Sequence, residues 1–267
     1  MENRRQKLLN HLRNEGRTSV NDLADIFATS GATIRSDLRA LEEQGMVMRR
    51  YGSAEATTSS SKPKPKTKHI NSSLTEDRSM DEKQSLNLEL KMAIGEYAAS
   101  LINDGESIIL DCGSTTLQIV PNLADKRALT LMTNSMHIVN ATDQLEAEHT
   151  VVLSGGTYRR KSASFHGSMA EEAFQKYTFD KLFIGADGFD INVGTTTYNE
   201  AYHVSRAMRK AAKKTIVVMD HHKFGRRSPN VVIPLEDIDA VITDSGVDPT
   251  YVKELEENNI EVHIVQI

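Results

Sequence analysis

The chain has 267 residues and a formal net charge of -5 at pH 7, with 39% hydrophobic and 26% charged residues. This length suits one small and one medium domain, and the composition is ordinary for a soluble globular protein. The single cysteine, Cys112, excludes an intrachain disulfide framework and fits a reducing cytosol. No apolar run is long enough to span a membrane and the N-terminus lacks an apolar signal segment, so we expect a cytoplasmic protein without membrane contact.

Residues 1–54 contain three short helical patterns followed by a basic β-like run. The first helix is predicted over 3–14, with Gly16 as its stop. Ser19 then has the N-cap signature of a second helix, with Asp22 three residues later. The run 46–51 follows the third pattern and carries two adjacent arginines. Three short helices and a basic hairpin predict a winged helix-turn-helix over 1–54.

The third helical pattern, over 30–45, has two different faces. Ile34, Leu38 and Leu41 recur at the spacing of one buried face. Arg35 and Arg39 are one turn apart on another face, beside small residues that let a helix approach phosphates and guanine edges. The sequence therefore predicts a DNA recognition helix. The candidate DNA contacts are Thr29, Ser30, Ala32, Thr33, Arg35, Ser36, Arg39, Arg49 and Arg50.

An alternative interpretation of this segment is a small helical bundle that binds protein. The two arginines of the third helix would then form a solvated face. Residues 1–55 hold nine Lys or Arg against eight Asp or Glu, so the segment is nearly neutral. We therefore expect weak non-specific attraction to DNA.

Residues 55–81 are poor in apolar side chains and rich in Ser, Thr, Pro and Lys. This composition predicts a flexible, extended linker between two domains. Four lysines alternate along it, namely Lys62, Lys64, Lys66 and Lys68. They either run along the DNA phosphate backbone or belong to a solvated spacer without contacts.

Residues 82–267 alternate between short apolar runs and helical patterns, beginning with a helix around 90–101. The predicted strands are 107–111, 129–133, 150–153, 181–187, 215–220, 240–244 and 261–265. The predicted helices between them are 115–124, 135–143, 168–177, 199–213 and 249–258. This alternation predicts an α/β domain with a mostly parallel sheet and helices on both faces.

Polar residues and glycines follow several of the predicted strands. Ligands bind beyond the carboxyl ends of strands in such sheets, so we expect these residues to converge. Each stretch alone is also explained by an N-cap, a turn or a solvated loop. Together they offer anion donors, a lysine and hydroxyl acceptors, which suit a phosphorylated polyol. The candidate effector residues are Asp111, Gly113, Ser114, Thr115, Thr116, Asn134, Gly155, Gly156, Arg160, Asp187, Glu200 and Lys223.

Motifs in both domains resemble one protein family. TIR-x-DL, LE-x-x-G and a basic wing are formed by Thr33, Ile34, Arg35, Asp37, Leu38, Leu41, Glu42, Gly45, Arg49 and Gly52. This pattern resembles the DNA-binding segment of the DeoR family of bacterial transcriptional regulators. DCGSTT, TNS, SGGTYR, SASFHG, GADGFD, TTTYNE and DHHKFGRRS resemble the sugar-phosphate-sensing domain of that family. The resemblance covers nearly the whole chain outside the linker.

The resemblance implies a fold like ribose-5-phosphate isomerase for the second domain and a role as repressor of a sugar or polyol operon. It implies double-stranded operator DNA as a partner, and a homo-oligomer, dimer or tetramer, because operators contain paired half-sites. Several segments are most similar to regulators of glucitol (sorbitol) operons, which implies an effector like a hexitol 6-phosphate. On the family pattern, Asp111, Ser114, Thr115, Asn134, Asp187, Glu200 and Lys223 line the effector pocket. We expect no cofactor.

The rival interpretation is a sugar-phosphate isomerase. Glu200 would act as general base, while Lys223 and Asp187 would polarise a carbonyl group. The glycine-rich run that follows the acidic motif in such isomerases is absent after GADGFDINVG, and an isomerase has no use for a DNA-binding segment. We therefore expect no catalytic residues. His221 and His222 are adjacent but lack a supporting ligand cluster, so we expect no metal site.

Overall fold

The computed structural model describes residues 2–43, 46–50, 53–56, 79–198 and 203–267. Contacts divide the chain into two compact units, Met1–Ile70 and Asn71–Ile267. The predicted helix stop Gly45, the four linker lysines and the candidate effector residue Glu200 lie outside the described residues. Within the described ranges, no helix is long and apolar enough to cross a membrane.

The first unit consists of three helices and a small antiparallel sheet. Its elements are α1 (Glu2–Glu15), β1 (Thr18–Ser19), α2 (Val20–Ile26), α3 (Gly31–Glu43), β2 (Val47–Arg50) and β3 (Ser53–Ala56). Strand β3 lies between β1 and β2 and pairs antiparallel with both. The predicted winged helix-turn-helix is confirmed, with β2 and β3 as the wing.

The core of the first unit joins the apolar faces of its helices. Its buried side chains are Leu8, Leu9, Leu12, Val20, Leu23, Ile34, Leu38, Leu41, Val47 and Ala54. Helix α2 begins as predicted, because the Ser19 hydroxyl accepts a hydrogen bond of 3.1 Å from the Asp22 amide. The 3.6-residue period of the apolar side chains therefore sets which face of each helix is buried.

A buried carboxylate ties α1 to α3. Asp37 is only 2% exposed, and its two oxygens accept hydrogen bonds from the guanidinium groups of Arg4 and Arg5, at 2.6 and 2.9 Å. Burial raises the pKa of Asp37, but the two guanidinium groups outweigh that effect and hold it below its usual value. The carboxylate thus fixes the orientation of α3 from its inner side.

The second unit is built around a seven-stranded parallel sheet. The elements up to its third sheet strand are α4 (Met80–Ser85), α5 (Leu88–Ser100), β4 (Ser107–Leu110), a 3-10 helix (Thr116–Leu123), β5 (Thr130–Thr133), α6 (Met136–Thr142) and β6 (Thr150–Leu153). Then follow β7 (Thr157–Arg159), β8 (Ser164–His166), α7 (Ser168–Gln175), β9 (Phe179–Ile184), β10 (Gly188–Asp190), β11 (Gly194–Thr197), α8 (His203–Ala211), β12 (Ala212–Val218), β13 (Asn230–Val231), β14 (Ala240–Asp244), α9 (Pro249–Glu257) and β15 (Glu261–Val265).

The order of the main sheet is β15-β14-β12-β9-β4-β5-β6, and all neighbouring strands are parallel. Each predicted strand contributes one of these seven, so the predicted α/β fold is confirmed. Alternate side chains enter opposite cores: in β4, Ile108 and Leu110 face the core under α5, while Ile109 joins the other core. Burial on both faces explains why these strands are continuously apolar.

Three small features were not predicted. Strands β7 and β8 form a hairpin, and β10, β11 and β13 form a second antiparallel sheet. Helix α4 begins at Met80, inside the segment expected to be linker. All of these elements are short, and none has enough residues to display a hydrophobic period.

Candidate functional site

A crevice forms where the strand order of the main sheet reverses. From β4 the chain proceeds through β5 to β6 at one edge, then returns to β9 beside β4 and continues outward to β15. The loops after β4 and β9 therefore diverge on opposite sides of one point, which is where open α/β sheets bind ligands. Asp111 follows β4 and Asp187 follows β9, and both line the resulting cavity.

The cavity has two adjoining lobes of about 120 and 300 Å³. Residues shared by both lobes are Lys83, Ser114, Asp187 and Lys223. The inner lobe adds polar side chains after β4, from the β7–β8 hairpin and from β11, and the outer lobe adds Lys91, His222, Arg226 and Arg227. Six of the candidate effector residues line the cavity, namely Asp111, Gly113, Ser114, Thr115, Asp187 and Lys223.

The turn after β4 presents backbone amides to this cavity. Among the described residues, the N–H groups of Gly113, Ser114 and Thr115 have no hydrogen-bond acceptor. The Thr116 hydroxyl donates to the carbonyls of Asp111 and Gly113, at 2.6 and 2.8 Å, and so fixes the turn from its buried side. The 3-10 helix begins immediately afterwards. Unpaired amides at the start of a helix form a cradle for an anion.

The two cavity carboxylates have different electrostatic environments. Asp187 accepts from the Lys83 ammonium at 2.5 Å and from the Thr197 hydroxyl at 2.7 Å. Burial raises the pKa of Asp187, but the charge and hydrogen bond of Lys83 hold it below its usual value. Burial raises the pKa of Asp111 to about 6, and the negative charge of Asp187 adds to the rise. Both carboxylates are ionised at pH 7, but Asp111 is the more easily protonated.

Two further lysines adjoin the cavity. The Lys223 ammonium makes no hydrogen bond or ion pair with a described residue, and burial lowers its pKa although Asp220 and Asp187 oppose the effect. Lys91 is only 3% exposed, and its ammonium donates to the carbonyls of Lys83 and Leu86. Burial lowers the pKa of Lys91 to about 8. Of the three cavity lysines, Lys223 is therefore the one best available to an anionic ligand.

The β7–β8 hairpin supplies Arg159, Ser162 and His166 to the cavity wall. The hydroxyl of Ser164 donates to Ser162 at 2.7 Å and lies 2.8 Å from the Nε2 atom of His166. The candidate Arg160 is exposed in the turn after β7 and does not line the cavity. Arg159 is the last residue of β7, whereas Arg160 already belongs to the turn and is carried away from the cavity.

Four other candidates also lie outside the cavity lining. Thr116 is buried under the turn, and the Asn134 side chain is buried and donates to the Phe165 carbonyl at 3.1 Å. Gly155 and Gly156 have positive φ angles, and a Cβ on Gly156 would lie 2.6 Å from the His166 carbonyl oxygen. These residues shape the loops that carry the cavity wall.

Several cavity residues were not candidates from the sequence. They are Met80, Lys83, Asn87, Lys91, Arg159, Ser162, His166, Thr195, Thr196, Thr197, Arg226 and Arg227. One signal was available for α4: Ser79 and Glu82 form a capping box in which each side chain bonds the other residue's backbone amide, at 3.4 and 2.8 Å. The other residues are brought to the cavity by tertiary contacts.

In the first unit, the candidate DNA contacts lie at the start of α3, along it and in the wing. The hydroxyl of Ser30 accepts a hydrogen bond of 3.1 Å from the Thr33 amide and so caps α3. Ser30 and Ser36 are exposed, and Thr29 and Thr33 are partly exposed. The side chains of Ala32, Arg35, Arg39, Arg49 and Arg50 lie outside the described part of the structure.

Helix geometry still places positions 32, 35 and 39 of α3 on one face. Positions 32, 35 and 39 follow a helical stripe, and each lies two residues before a position of the buried stripe of Ile34, Asp37 and Leu41. Two residues correspond to a rotation of about 200°, so the two stripes are on opposite sides of the helix. In the wing, Arg49 pairs with Ala54 and Arg50 with Ser53.

The remaining titratable groups near the cavity do not suggest metal or thiol chemistry. The described residues contain no group of three or more His, Cys, Asp or Glu side chains able to hold a metal ion. Burial and the neighbouring Asp111 raise the pKa of the Cys112 thiol to about 12, so it is protonated and unreactive at neutral pH.

Family models match both units of the chain. A model described as the DeoR-like helix-turn-helix domain matches residues 4–60. A model described as the DeoR C terminal sensor domain matches residues 86–245.

Similar full-length proteins are bacterial and archaeal regulators. The chain is 36% identical to a putative aga operon transcriptional repressor of Escherichia coli O157:H7, covering 98% of this chain and 93% of that protein. It is 31% identical to the transcriptional repressor AccR of Agrobacterium fabrum, covering 92% and 90%. It is also 31% identical to the HTH-type transcriptional regulator GlpR of Haloferax volcanii, covering 97% and 96%.

Among solved structures, ribose 5 phosphate isomerase A from Neisseria gonorrhoeae has a TM-score of 0.39 and 17% identity over 52% of this chain and 54% of its own. A likeness of this strength carries no conclusion about activity.

Proposed function

Because the chain belongs to the DeoR family of transcriptional regulators, we propose that it is a repressor of a sugar or polyol operon controlled by a phosphorylated effector. It is a DNA-binding regulator rather than an enzyme, and the isomerase interpretation is not favoured. We propose a hexitol 6-phosphate as the effector, with glucitol 6-phosphate as the first compound to test. The repressor role is suggested by the relatives from E. coli and A. fabrum, which are described as repressors.

The observation that carries the effector proposal is the division of charge within the cavity. The amides of residues 113–115 and the Lys223 ammonium have no partner among the described residues, and they offer donors for a phosphate. Asp111 and Asp187 offer acceptors for hydroxyl groups, and Thr195, Thr196 and Thr197 add further hydroxyls to the wall. A ligand that carries both one anion and several hydroxyls satisfies both sets of groups, which a neutral sugar or a simple anion does not.

For the DNA interface we propose that α3 enters the major groove. Arg35 and Arg39 would contact bases or phosphates, and Arg49 and Arg50 would contact the backbone from the wing. Arg4 and Arg5 are engaged with Asp37, so two of the nine basic residues within 1–55 are partly neutralised. A single copy is therefore expected to bind weakly.

We propose that tight binding requires a homo-oligomer, dimer or tetramer, assembled through the second unit. Paired recognition helices bind paired half-sites, so the spacing between two subunits becomes the property that an effector can change. We propose the domain division 1–54, 55–81 and 82–267, in which the segment 55–81 contains the linker, while its first residues belong to β3 and its last residues to α4. The contact of the four linker lysines with DNA also remains a proposal.

Calorimetric titration of the full chain tests the effector proposal. We expect D-glucitol 6-phosphate or a related hexitol phosphate to bind, and unphosphorylated glucitol and inorganic phosphate to bind at least about 10-fold more weakly, because each satisfies only one set of groups. Lys223→Met is the test variant, and Lys253→Met, on the exposed face of α9, is the matched control. Absence of binding by every hexitol phosphate to the folded protein would refute this effector class.

A further inference from the structure

Helix α4 forms one wall of the cavity although it precedes the α/β sheet in sequence. Met80 and Lys83 line the inner lobe, and Lys83, Leu86 and Asn87 line the outer lobe. The helix follows residues 57–78 directly along the chain, and these residues connect it to the DNA-binding unit. Among the described elements, α4 is thus the first of the second unit, and it also lines the cavity.

Helix α4 is too short to be stable by itself. It has six residues, and isolated helices of such length do not form in water. Its capping box is local and adds no tertiary contact. Stability must therefore come from the groups that attach it to the rest of the unit.

The attachments of α4 to the described part of the unit include three that involve residues lining the cavity. The Met80 amide donates to the Lys161 carbonyl at 3.0 Å, and the Met80 side chain is buried. Lys83 pairs with Asp187, 104 positions away in sequence. The Lys91 ammonium, from α5, caps the carbonyls of Lys83 and Leu86 at the end of α4. A six-residue helix that depends on such attachments has a lower free energy of local opening than the strands of the main sheet.

The hydrogen bond to Asp187 does not use all the N–H donors of the Lys83 ammonium. An ammonium group has three N–H donors, and Asp187 is the described hydrogen-bond partner of the Lys83 side chain. A ligand oxygen in the cavity can therefore accept a second hydrogen bond from Lys83 without breaking the pair with Asp187. Such a contact attaches α4 to the ligand as well as to the sheet.

We infer that Lys83 contacts the effector and that α4 is a strap whose order increases when the cavity is occupied. This inference rests on the proposed function, because it requires an oxygen-rich anionic ligand in the cavity. The occupied cavity holds α4 in place through Lys83. Occupancy of the sensor site is then expressed as local order of α4, the first described element that follows the linker in sequence.

Amide hydrogen exchange measured on the full chain tests whether an occupied cavity orders α4. In the wild type, saturating D-glucitol 6-phosphate should slow exchange of the amides in 81–87 by about 10-fold, a typical size of coupling between two sites. Without ligand, Lys83→Met should accelerate exchange in the same amides, and Lys83→Arg should restore slow exchange because it retains a donor for Asp187. Lys253→Met, which removes a lysine from an exposed pair with Glu257, should leave them unchanged.

The outcomes separate the strap from the effector proposal. If the compound binds by calorimetry but exchange in α4 is unchanged, the strap is overturned while the effector class stands. If the compound does not bind, the effector class fails, and the ligand-free comparison tests the attachment of α4 through Lys83. Equal exchange in wild type and Lys83→Met overturns that attachment and the strap with it, whereas faster exchange in Lys83→Met and slow exchange in Lys83→Arg support the attachment on which the strap depends.

Discussion

Replacing Asp37 by Ala should destabilise the DNA-binding unit without touching its DNA-contacting face. The substitution removes two hydrogen bonds between a buried carboxylate and guanidinium groups, at 2.6 and 2.9 Å. The side chains of Arg4 and Arg5 are about one third exposed, so they return to water and no unpaired charge remains buried. The cost should therefore fall below the 3–5 kcal/mol typical of breaking a fully buried pair, at about 2 kcal/mol.

That cost is large for a unit of this size. A domain of roughly 55 residues is stabilised by about 3–8 kcal/mol in total. A loss of about 2 kcal/mol should lower the melting temperature of the first unit by roughly 10 °C. Scanning calorimetry of the full chain should detect this shift in the transition of the first unit and leave that of the second unit in place.

The pH dependence of the melting temperature tests the interaction of Asp37 with Arg4 and Arg5 in a second way. Because the pKa of Asp37 is lowered in the fold, its stabilisation is fully present above the unfolded pKa near 4. It is lost as the pH falls through the lower, folded pKa. The difference in Tm between wild type and Asp37→Ala should therefore shrink under acid conditions. Asp25→Ala, an exposed carboxylate of α2, is the control. Equal melting temperatures of Asp37→Ala and Asp25→Ala at pH 7 would refute the reasoning.

Three further predictions concern the two binding surfaces. Lys223→Met should weaken hexitol phosphate binding by about 10- to 100-fold, the value of a charge-assisted hydrogen bond, and calorimetry would contradict this if the variant matched Lys253→Met. Effector affinity should fall as the pH drops through about 6, because protonation of Asp111 removes an ionised hydroxyl acceptor. The ligand phosphate gains a proton in the same range, so the test is the difference between two proteins: Asp111→Asn should show a shallower fall than the wild type, and equal pH profiles of the two would count against this role. Arg39→Ala should cost about 1–3 kcal/mol in operator binding if Arg39 reads a base, which a fluorescence anisotropy titration would disprove if the Kd were unchanged.

The sheet could be predicted from the sequence because its strands are buried on both faces. Runs such as 108–110 and 216–218 are continuously apolar, so the type and order of these strands can be recognised from local sequence. The same holds for α3, where Ile34, Leu38 and Leu41 mark the buried face. Residues directly after strands, such as Asp111, Ser114 and Asp187, could also be assigned to one edge of the sheet.

Residues that reach the cavity through distant contacts could not be predicted. Lys83 lies in a short helix without a hydrophobic period, and its role depends on Asp187, 104 positions away. The choice between Arg159 and Arg160 depends on the register of a three-residue strand, which composition does not determine. Asn134 follows a strand as Asp111 does, yet its side chain is directed to a backbone carbonyl by the β8 segment beside it. In each case the missing information is tertiary.

Operator binding measured with and without effector tests the central claim most directly. Fluorescence anisotropy with labelled DNA from upstream of the protein's own gene should be repeated in the presence of saturating D-glucitol 6-phosphate and of the other hexitol phosphates, at one fixed salt concentration. We predict that at least one of these compounds changes the Kd for DNA by fivefold or more, about the lower limit of typical allosteric coupling, and that Lys223→Met abolishes the change. Tight DNA binding that is the same with every compound would contradict control by a phosphorylated polyol.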